Sequence, residues 1–178
     1  MAEEWVVLVD EEDRELGVAA KSAVHHAATP LHRAFSLFLF DRDGRTLLQR
    51  RALSKRTWPG VWSNACCGHP GPGETRRDAV MRRVRQELGV TPRDLAEILP
   101  DYRYRAERDG VVENEICPVW VGRLGVDAPT PDPAEVEEVR WVAWQTFLEK
   151  LPGDYSPWSV EEARRLAASS AFVRWLRG

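Results

Sequence analysis

Glu113 and Glu115 occupy alternate positions in residues 111–121, a run that otherwise reads as an apolar strand. Side chains at i and i+2 of a strand share a face, so the two acids repel unless a cation or a proton lies between them. A strand end with both carboxylates in water is the competing reading. The chain has only four histidines, and His25, His32 and His69 fall in segments that flank other reactive residues. Three imidazoles and two carboxylates form a mixed N/O donor set suited to Mn²⁺, Mg²⁺ or Zn²⁺, and near-octahedral geometry favours the first two. No H-x3-H or C-x2-C spacing marks such a site locally. His69 also follows Cys66-Cys67-Gly68. A thiol beside a glycine that permits close backbone approach, with a histidine next to it and basic residues upstream, meets the conditions for proton transfer or nucleophilic attack. The plain alternative makes both cysteines buried small hydrophobes.

Arg50, Arg51, Lys55 and Arg56 concentrate positive charge in one short segment, while the whole chain carries a formal charge of −3. That balance excludes a global basic field, so no nucleic-acid partner is expected. A local cluster suits a small anionic ligand, or else a solvated loop. Among eight tryptophans, Trp58, Trp62 and Trp158 lie in Pro/Gly-rich stretches that read as loops, where an aromatic face can stabilise a cation. Three cysteines, two of them adjacent, do not make a disulfide framework. No basic-then-apolar leader opens the sequence, and no apolar run approaches ~20 residues. A cytoplasmic monomer with no membrane partner is expected.

These residues need elements to position them. Residues 5–9 read as a first strand before an acidic turn at 10–13. Residues 21–28 suggest a short helix carrying His25 and His26. Residues 35–40, the turn Asp41-Arg42-Asp43-Gly44 and residues 46–50 read as a hairpin. Residues 75–88 give the strongest helix signal: Val80, Val84 and Leu88 recur as a seam, Thr75-x-x-Asp78 resembles a capping box, and Gly89 stops the helix. Arg83 and Glu87 then lie one turn apart beside the seam. Residues 102–106 and 111–121 suggest strands joined by Asp109-Gly110. Residues 129–133 form a loop, 139–143 a strand, and 159–168 with 172–176 C-terminal helices. The intermixing without a regular βαβ beat predicts one α/β (α+β) domain over 1–178, a mixed β-sheet sandwich flanked by helices.

The order Gly68, Glu74, Arg82, Glu87, Gly89 resembles the Nudix box, whose form is G-x5-E-x7-R-E-U-x-E-E-x-G-U with U aliphatic. In diphosphate-hydrolysing Nudix enzymes three clustered glutamates hold the metals that activate water. Here Arg83 and Gln86 replace two of them, and Glu87 remains. One carboxylate can tether Mg²⁺ to a diphosphate but cannot supply multi-metal activation of water. The segments Arg50-Arg51-Ala52-Leu53-Ser54-Lys55, Trp58-Pro59-Gly60-Val61-Trp62, Cys67-Gly68-His69-Pro70, Tyr102-Arg103-Tyr104, Glu113-Asn114-Glu115-x-Cys117-Pro118 and Ser156-Pro157-Trp158 extend the likeness. Together they resemble type 1 isopentenyl-diphosphate Δ-isomerase, a Nudix-superfamily enzyme, over residues 21–158. So many motifs in one order make the match specific.

That resemblance implies interconversion of isopentenyl and dimethylallyl diphosphate, in isoprenoid biosynthesis, through a tertiary carbocation. It makes Cys67 one acid/base and Glu115 the other, with Tyr104 hydrogen-bonded to Glu115 as a proton relay and Trp158 facing the cation. It places His25, His32, His69, Glu113 and Glu115 around a tightly held divalent metal, Mn²⁺ or Mg²⁺, with Zn²⁺ the third candidate. A substrate-borne Mg²⁺ falls to Glu87 with the Cys67 carbonyl, and Lys21, Arg51, Lys55 and Arg83 grip the diphosphate. His25 is chosen over His26 because its seven-residue step to His32 matches the family; Cys66 receives no role. Two rival readings stand beside this one: a Nudix hydrolase of a nucleoside diphosphate derivative, and a non-catalytic diphosphate-binding module.

Overall fold

Residues Phe35–Phe40 are buried at every position, so both faces of that strand must be covered. The computed structural model, which describes residues 4–125, 128–149 and 153–178, shows how. In chain order the elements are β1 (Trp5–Val9), β2 (Glu15–Ala20), α1 (Lys21–Val24), β3 (His32–Arg33), β4 (Phe35–Phe40), β5 (Arg45–Arg51), β6 (Trp62–Ser63), β7 (Cys66–Gly68), α2 (Arg76–Leu88), β8 (Arg93–Leu99), β9 (Arg103–Arg108), β10 (Val111–Ile116), β11 (Val119–Arg123), β12 (Val136–Ala143), α3 (Trp144–Glu149), α4 (Pro157–Ala168) and α5 (Ser170–Arg177). A seven-stranded sheet runs β12-β5-β4-β11-β8, with β6 paired to β5 and β7 to β4, and a five-stranded sheet runs β2-β1-β3-β10-β9. Leu37 and Leu39 of β4 pack with Val80, Val84 and Leu88 of α2. Phe38 and Phe40 pack on the other side with Ala163 and Leu166 of α4 and Phe172 of α5. The result is the expected mixed α+β sandwich.

α2 follows its sequence signals closely. The Thr75 hydroxyl oxygen accepts from the Asp78 amide at 3.1 Å and donates to the Asp78 carboxylate at 2.6 Å. A cap of this kind contributes about 1 kcal/mol. Val80, Val84 and Leu88 are fully buried, and each stabilises the fold by about 1.5–3 kcal/mol. Gly89 ends the helix at φ 67, where an added Cβ would meet the Thr130 carbonyl oxygen at 3.0 Å. Residues Asp109 and Gly110, at φ 52 and 75, make the tight turn between β9 and β10; both left-handed positions suit a hairpin turn.

Four expectations change. The helix of 21–28 stops at Val24, because the Thr29 side chain takes both backbone groups of His26, at 2.9 and 2.7 Å, in competition with helical bonds. The run 111–121 breaks into β10 and β11 at Cys117-Pro118 and passes from one sheet to the other. Pro118 has no N–H with which to continue the ladder. The hairpin of β4 and β5 pairs only at Phe40 and Thr46. Its strands then part, and β7 enters beside β4. Trp158 lies in the first turn of α4 and Trp62 on β6, leaving Trp58 alone in a loop. The strand β8 had no sequence signal.

Candidate active site

Cys67 owes its position to the opening of that hairpin. In the β7–β4 register Cys67 lies opposite Ser36, Cys66 opposite Leu37 and Gly68 opposite Phe35. Alternation sends Cys66 into the core beneath α2 and Cys67 to the opposite face, where it lines a cavity of about 430 Å³. The Cys67 thiol donates to Asn64 Oδ1 at 3.3 Å and lies 3.5 Å from Ser36 Oγ. Burial above all pushes this thiol up to about 12, so it is protonated at neutral pH. Gly68 brings the strand against α2: a Cβ there would sit 2.9 Å from Arg83 Cγ and 3.0 Å from Phe35 Cζ.

Glu115 approaches the same cavity from the other sheet. On β10 it is flanked in register by His32 of β3 and Tyr104 of β9. Its Oε1 lies 2.9 Å from His69 Nε2 and 3.5 Å from His32 Nε2. His25, His32, His69 and Glu115 offer donor atoms all within 4.8 Å of one another, and the three imidazole centroids are 5.0–5.5 Å apart. His25 is buried in this group, while the exposed His26 accepts from the Ala28 amide with its Nδ1. Glu113 stands one step back: its Oε2 pairs with His25 Nε2 at 3.0 Å and is not among the four clustered donors.

The electrostatics of the cluster turn on one carboxylate set among three imidazoles. Burial opposes ionisation of Glu115, but the facing His32 and His69 rings hold its carboxyl well below the usual range. Burial likewise opposes the His32 imidazolium, yet Glu115 outweighs it and the net shift is upward. His69, buried and next to His32, falls to about 3. His32 Nδ1 sits 2.9 Å from the Pro30 carbonyl, an arrangement that fixes a ligand tautomer by leaving Nε2 with its lone pair. His32 Nε2 and His69 Nδ1 are both buried without a hydrogen-bond partner. Donor set, tautomer and orphaned nitrogens fit a divalent metal.

Across the cavity stands a rim of cations. Lys21 pairs with Glu4, Lys55 with Glu135, and Arg83 with Glu87, with Glu4 at 3.1 Å and with Glu135 at 3.3 Å. Arg51 donates to the Thr57 and Trp58 carbonyls at 2.9 and 3.2 Å and so also holds the loop. Glu87 accepts from Gln49 Nε2 at 3.4 Å as well as from Arg83. Burial and Arg83 lower the Lys21 pKa. Trp158 and Tyr104 add an aromatic part to the cavity lining. Trp158 stacks on Tyr104 at 5.2 Å and meets Trp58 edge-on at 5.0 Å. Among the described residues the Tyr104 hydroxyl makes no hydrogen bond to Glu115, contrary to expectation; the two histidine contacts of that carboxylate are both to Oε1. Burial and Glu115 push the Tyr104 phenol well up, so it remains a donor.

The structure thus brings Lys21, His25, Arg51, Lys55, Cys67, His69, Arg83, Glu87, Tyr104, Glu113, Glu115 and Trp158 around one cavity, and His32 joins through Glu115. Sequence reasoning missed Ser36, Asn64 and Glu162, which are fully buried polar groups behind the thiol. Asn64-Ala65-Cys66-Cys67 offered the one local hint, since Asn64 Nδ2 reaches Ser36 Oγ at 2.8 Å and the Leu37 carbonyl at 2.9 Å.

Residues 30–162 match the NUDIX domain. An isopentenyl-diphosphate Delta-isomerase of Mycolicibacterium vanbaalenii is 54% identical over 169 residues, 93% of each chain. One from Frankia alni is 56% identical over 161 residues, covering 88% of this chain and 82% of that one. The chain belongs to the Nudix isopentenyl-diphosphate Delta-isomerase family. An isopentenyl-diphosphate Delta-isomerase of Klebsiella pneumoniae strain 342 aligns over the full length of both chains at 48% identity. The fold is shared more widely. DR0079 from Deinococcus radiodurans superposes with a TM-score of 0.72 at 20% identity, covering 91% of this chain and 98% of that one. A MutT protein from Methanosarcina mazei gives 0.62 at 24% identity over 76% and 92%. In this family member the box helix α2 carries Arg83 and Gln86 where the general box has acids, and Arg83 is bonded to the surviving Glu87.

Proposed function

We propose that this protein interconverts isopentenyl and dimethylallyl diphosphate by protonating the alkene on one side and removing a proton from the other. The observation that carries the reading is the placement of Cys67 and Glu115 on different sheets, both lining one cavity. The π electrons form the new C–H bond, a tertiary cation results, and loss of a neighbouring proton restores the double bond. An alkene is a poor base, so the cation needs stabilisation in a water-excluding pocket. Trp158 and Tyr104, which line the cavity, would supply its aromatic wall, with Trp58 packed edge-on against Trp158, and Tyr104, opposite Glu115 in the β9–β10 ladder, would assist proton movement there.

His25, His32, His69 and Glu115 would hold a divalent metal, with Glu113 supporting His25; Mn²⁺ or Mg²⁺ is the assignment, Zn²⁺ the alternative. Bound there, the ion would make Glu115 a stronger acid and fix its orientation. Lys21, Arg51, Lys55 and Arg83 would take the diphosphate. Glu87, with the Cys67 carbonyl, would hold Mg²⁺ only together with substrate oxygens, because one carboxylate binds it weakly alone. The depleted box serves the same chemistry, since a site handling diphosphate esters should not activate water against them. Incubation with isopentenyl diphosphate, Mg²⁺ and Mn²⁺ in D₂O tests the reading. Allylic product carrying deuterium is expected; release of phosphate without it would establish a hydrolase instead.

A further inference from the structure

Behind Cys67 lies a buried acid that the reaction above does not use. Glu162 of α4 is fully buried, and no cation pairs with it among the described residues. Its Oε2 is 2.7 Å from Ser36 Oγ, and its Oε1 has no partner. Ser36 Oγ in turn accepts from Asn64 Nδ2 at 2.8 Å and lies 3.5 Å from Cys67 Sγ. An ion buried without a counter-charge is too costly to persist. Burial, with Glu115 adding its charge, pushes the Glu162 carboxyl well above the usual range.

A neutral acid changes what the serine can do. The Ser36 hydroxyl has one proton and two lone pairs. If Glu162 were ionised, that proton would be spent on the carboxylate. With the proton on Glu162 Oε2, the acid donates to Ser36 Oγ, Asn64 Nδ2 donates to the second lone pair, and the serine proton is free to turn to the sulfur. Oε1 is then a carbonyl oxygen, and an unpartnered acceptor costs less than an unpartnered donor would. The thiol state is served differently, since its S–H donates to Asn64 Oδ1. In either reaction direction the sulfur is negative on one side of the barrier, and only a donor can meet it there.

We infer that Glu162 is a positioning residue which, as a neutral acid, directs the Ser36 hydroxyl onto Cys67 Sγ as charge develops there. This rests on the isomerase reading. A hydrogen bond to a developing charge is worth about tenfold to hundredfold in rate, and in the direction in which Cys67 starts as the thiol it appears in kcat, because the ground-state thiol does not use it.

The test compares Glu162→Gln, Glu162→Met and Ser36→Ala with wild type in the metal-loaded enzyme. Glutamine is neutral and keeps a donor, so Glu162→Gln should hold kcat within about threefold of wild type. Methionine keeps bulk without a donor, so kcat should fall by about tenfold to hundredfold with KM unchanged, and Ser36→Ala should match it. Difference infrared spectra of wild type against Glu162→Gln at neutral pH should show the carbonyl band of a protonated carboxylic acid. Absence of that band overturns the inference whether or not the protein isomerises. So does an equal loss in Glu162→Gln and Glu162→Met, which would make the acid a proton carrier. A fall in KM-limited activity with kcat intact would reduce it to packing. Failure of wild type itself to isomerise would sink the functional reading while leaving the infrared result standing.

Discussion

Replacing Glu135 by glutamine should weaken the fold and tighten diphosphate binding at once. Glu135 pairs with Lys55 and with Arg83, and its side chain is 23% exposed. Burial raises its pKa, but the two cations, Lys55 foremost, bring the net value from 4.5 down to about 2. That difference corresponds to about 3 kcal/mol, and solvent screening of a partly exposed pair reduces it to about 2 kcal/mol. The sign follows from the depressed value. The stabilisation is complete above 4.5, where the unfolded carboxyl is also ionised, and is lost as pH falls towards about 2. Urea unfolding of wild type and Glu135→Gln should therefore differ by about 2 kcal/mol at pH 7 and by less than half of that near pH 3, with equal m-values. The same substitution releases Lys55 and Arg83 from a competing anion. Inorganic pyrophosphate, titrated calorimetrically, should bind about fivefold tighter, the equivalent of about 1 kcal/mol. A stability difference that is the same at both pH values, or an unchanged pyrophosphate Kd, would refute the assignment of Glu135 as the resting counter-ion of the rim.

Cys67→Ala should abolish isomerisation with little change in Tm. Cys66→Ala, which empties a fully buried core position, should keep activity and cost about 1–2 kcal/mol in chemical denaturation; the reverse pattern would misplace the thiol. Metal analysis of the purified protein should find a divalent ion whose occupancy collapses in His69→Ala and is untouched by His26→Ala. For Trp158 the order of kcat should be Trp, then Phe, then Leu, with Leu about thirtyfold down, since a desolvated cation–π contact is worth ~2 kcal/mol. A Trp158→Leu enzyme with unchanged kcat and lowered Tm would make the ring a packing residue only.

The elements that the sequence disclosed are those whose signals are local. α2 carries its cap, seam and stop within sixteen contiguous positions, 74–89, and β4 is apolar enough to declare itself. β8 reads Arg93-Asp94-Leu95-Ala96-Glu97-Ile98-Leu99, and its pairing with β11 is a tertiary fact that no alternation announces. The sheet change at Cys117-Pro118 had a proline as its flag, but a proline does not say which sheet lies beyond it. The site shows the same divide. Residues that carry chemistry in recognisable motifs were visible as types and order. Ser36, Asn64 and Glu162 come from β4, the loop before β7 and α4, and they matter only because folding stacks them behind one sulfur.

The alternation within β10 makes the site sensitive to length in a way it is not to composition. Glu113 and Glu115 face the cavity, while the Asn114 amide, from the position between them, donates to the Thr29 carbonyl at 3.2 Å. One inserted or deleted residue between the Asp109-Gly110 turn and Pro118 would exchange the two faces, replacing both carboxylates by a single amide. Point changes can therefore drift through this strand gradually, whereas a one-codon insertion removes metal donors and acid together. Lineages descending from this chain should accumulate length variation elsewhere, in turns such as Asp41-Arg42-Asp43-Gly44, and keep the spacing from Gly110 to Pro118 fixed.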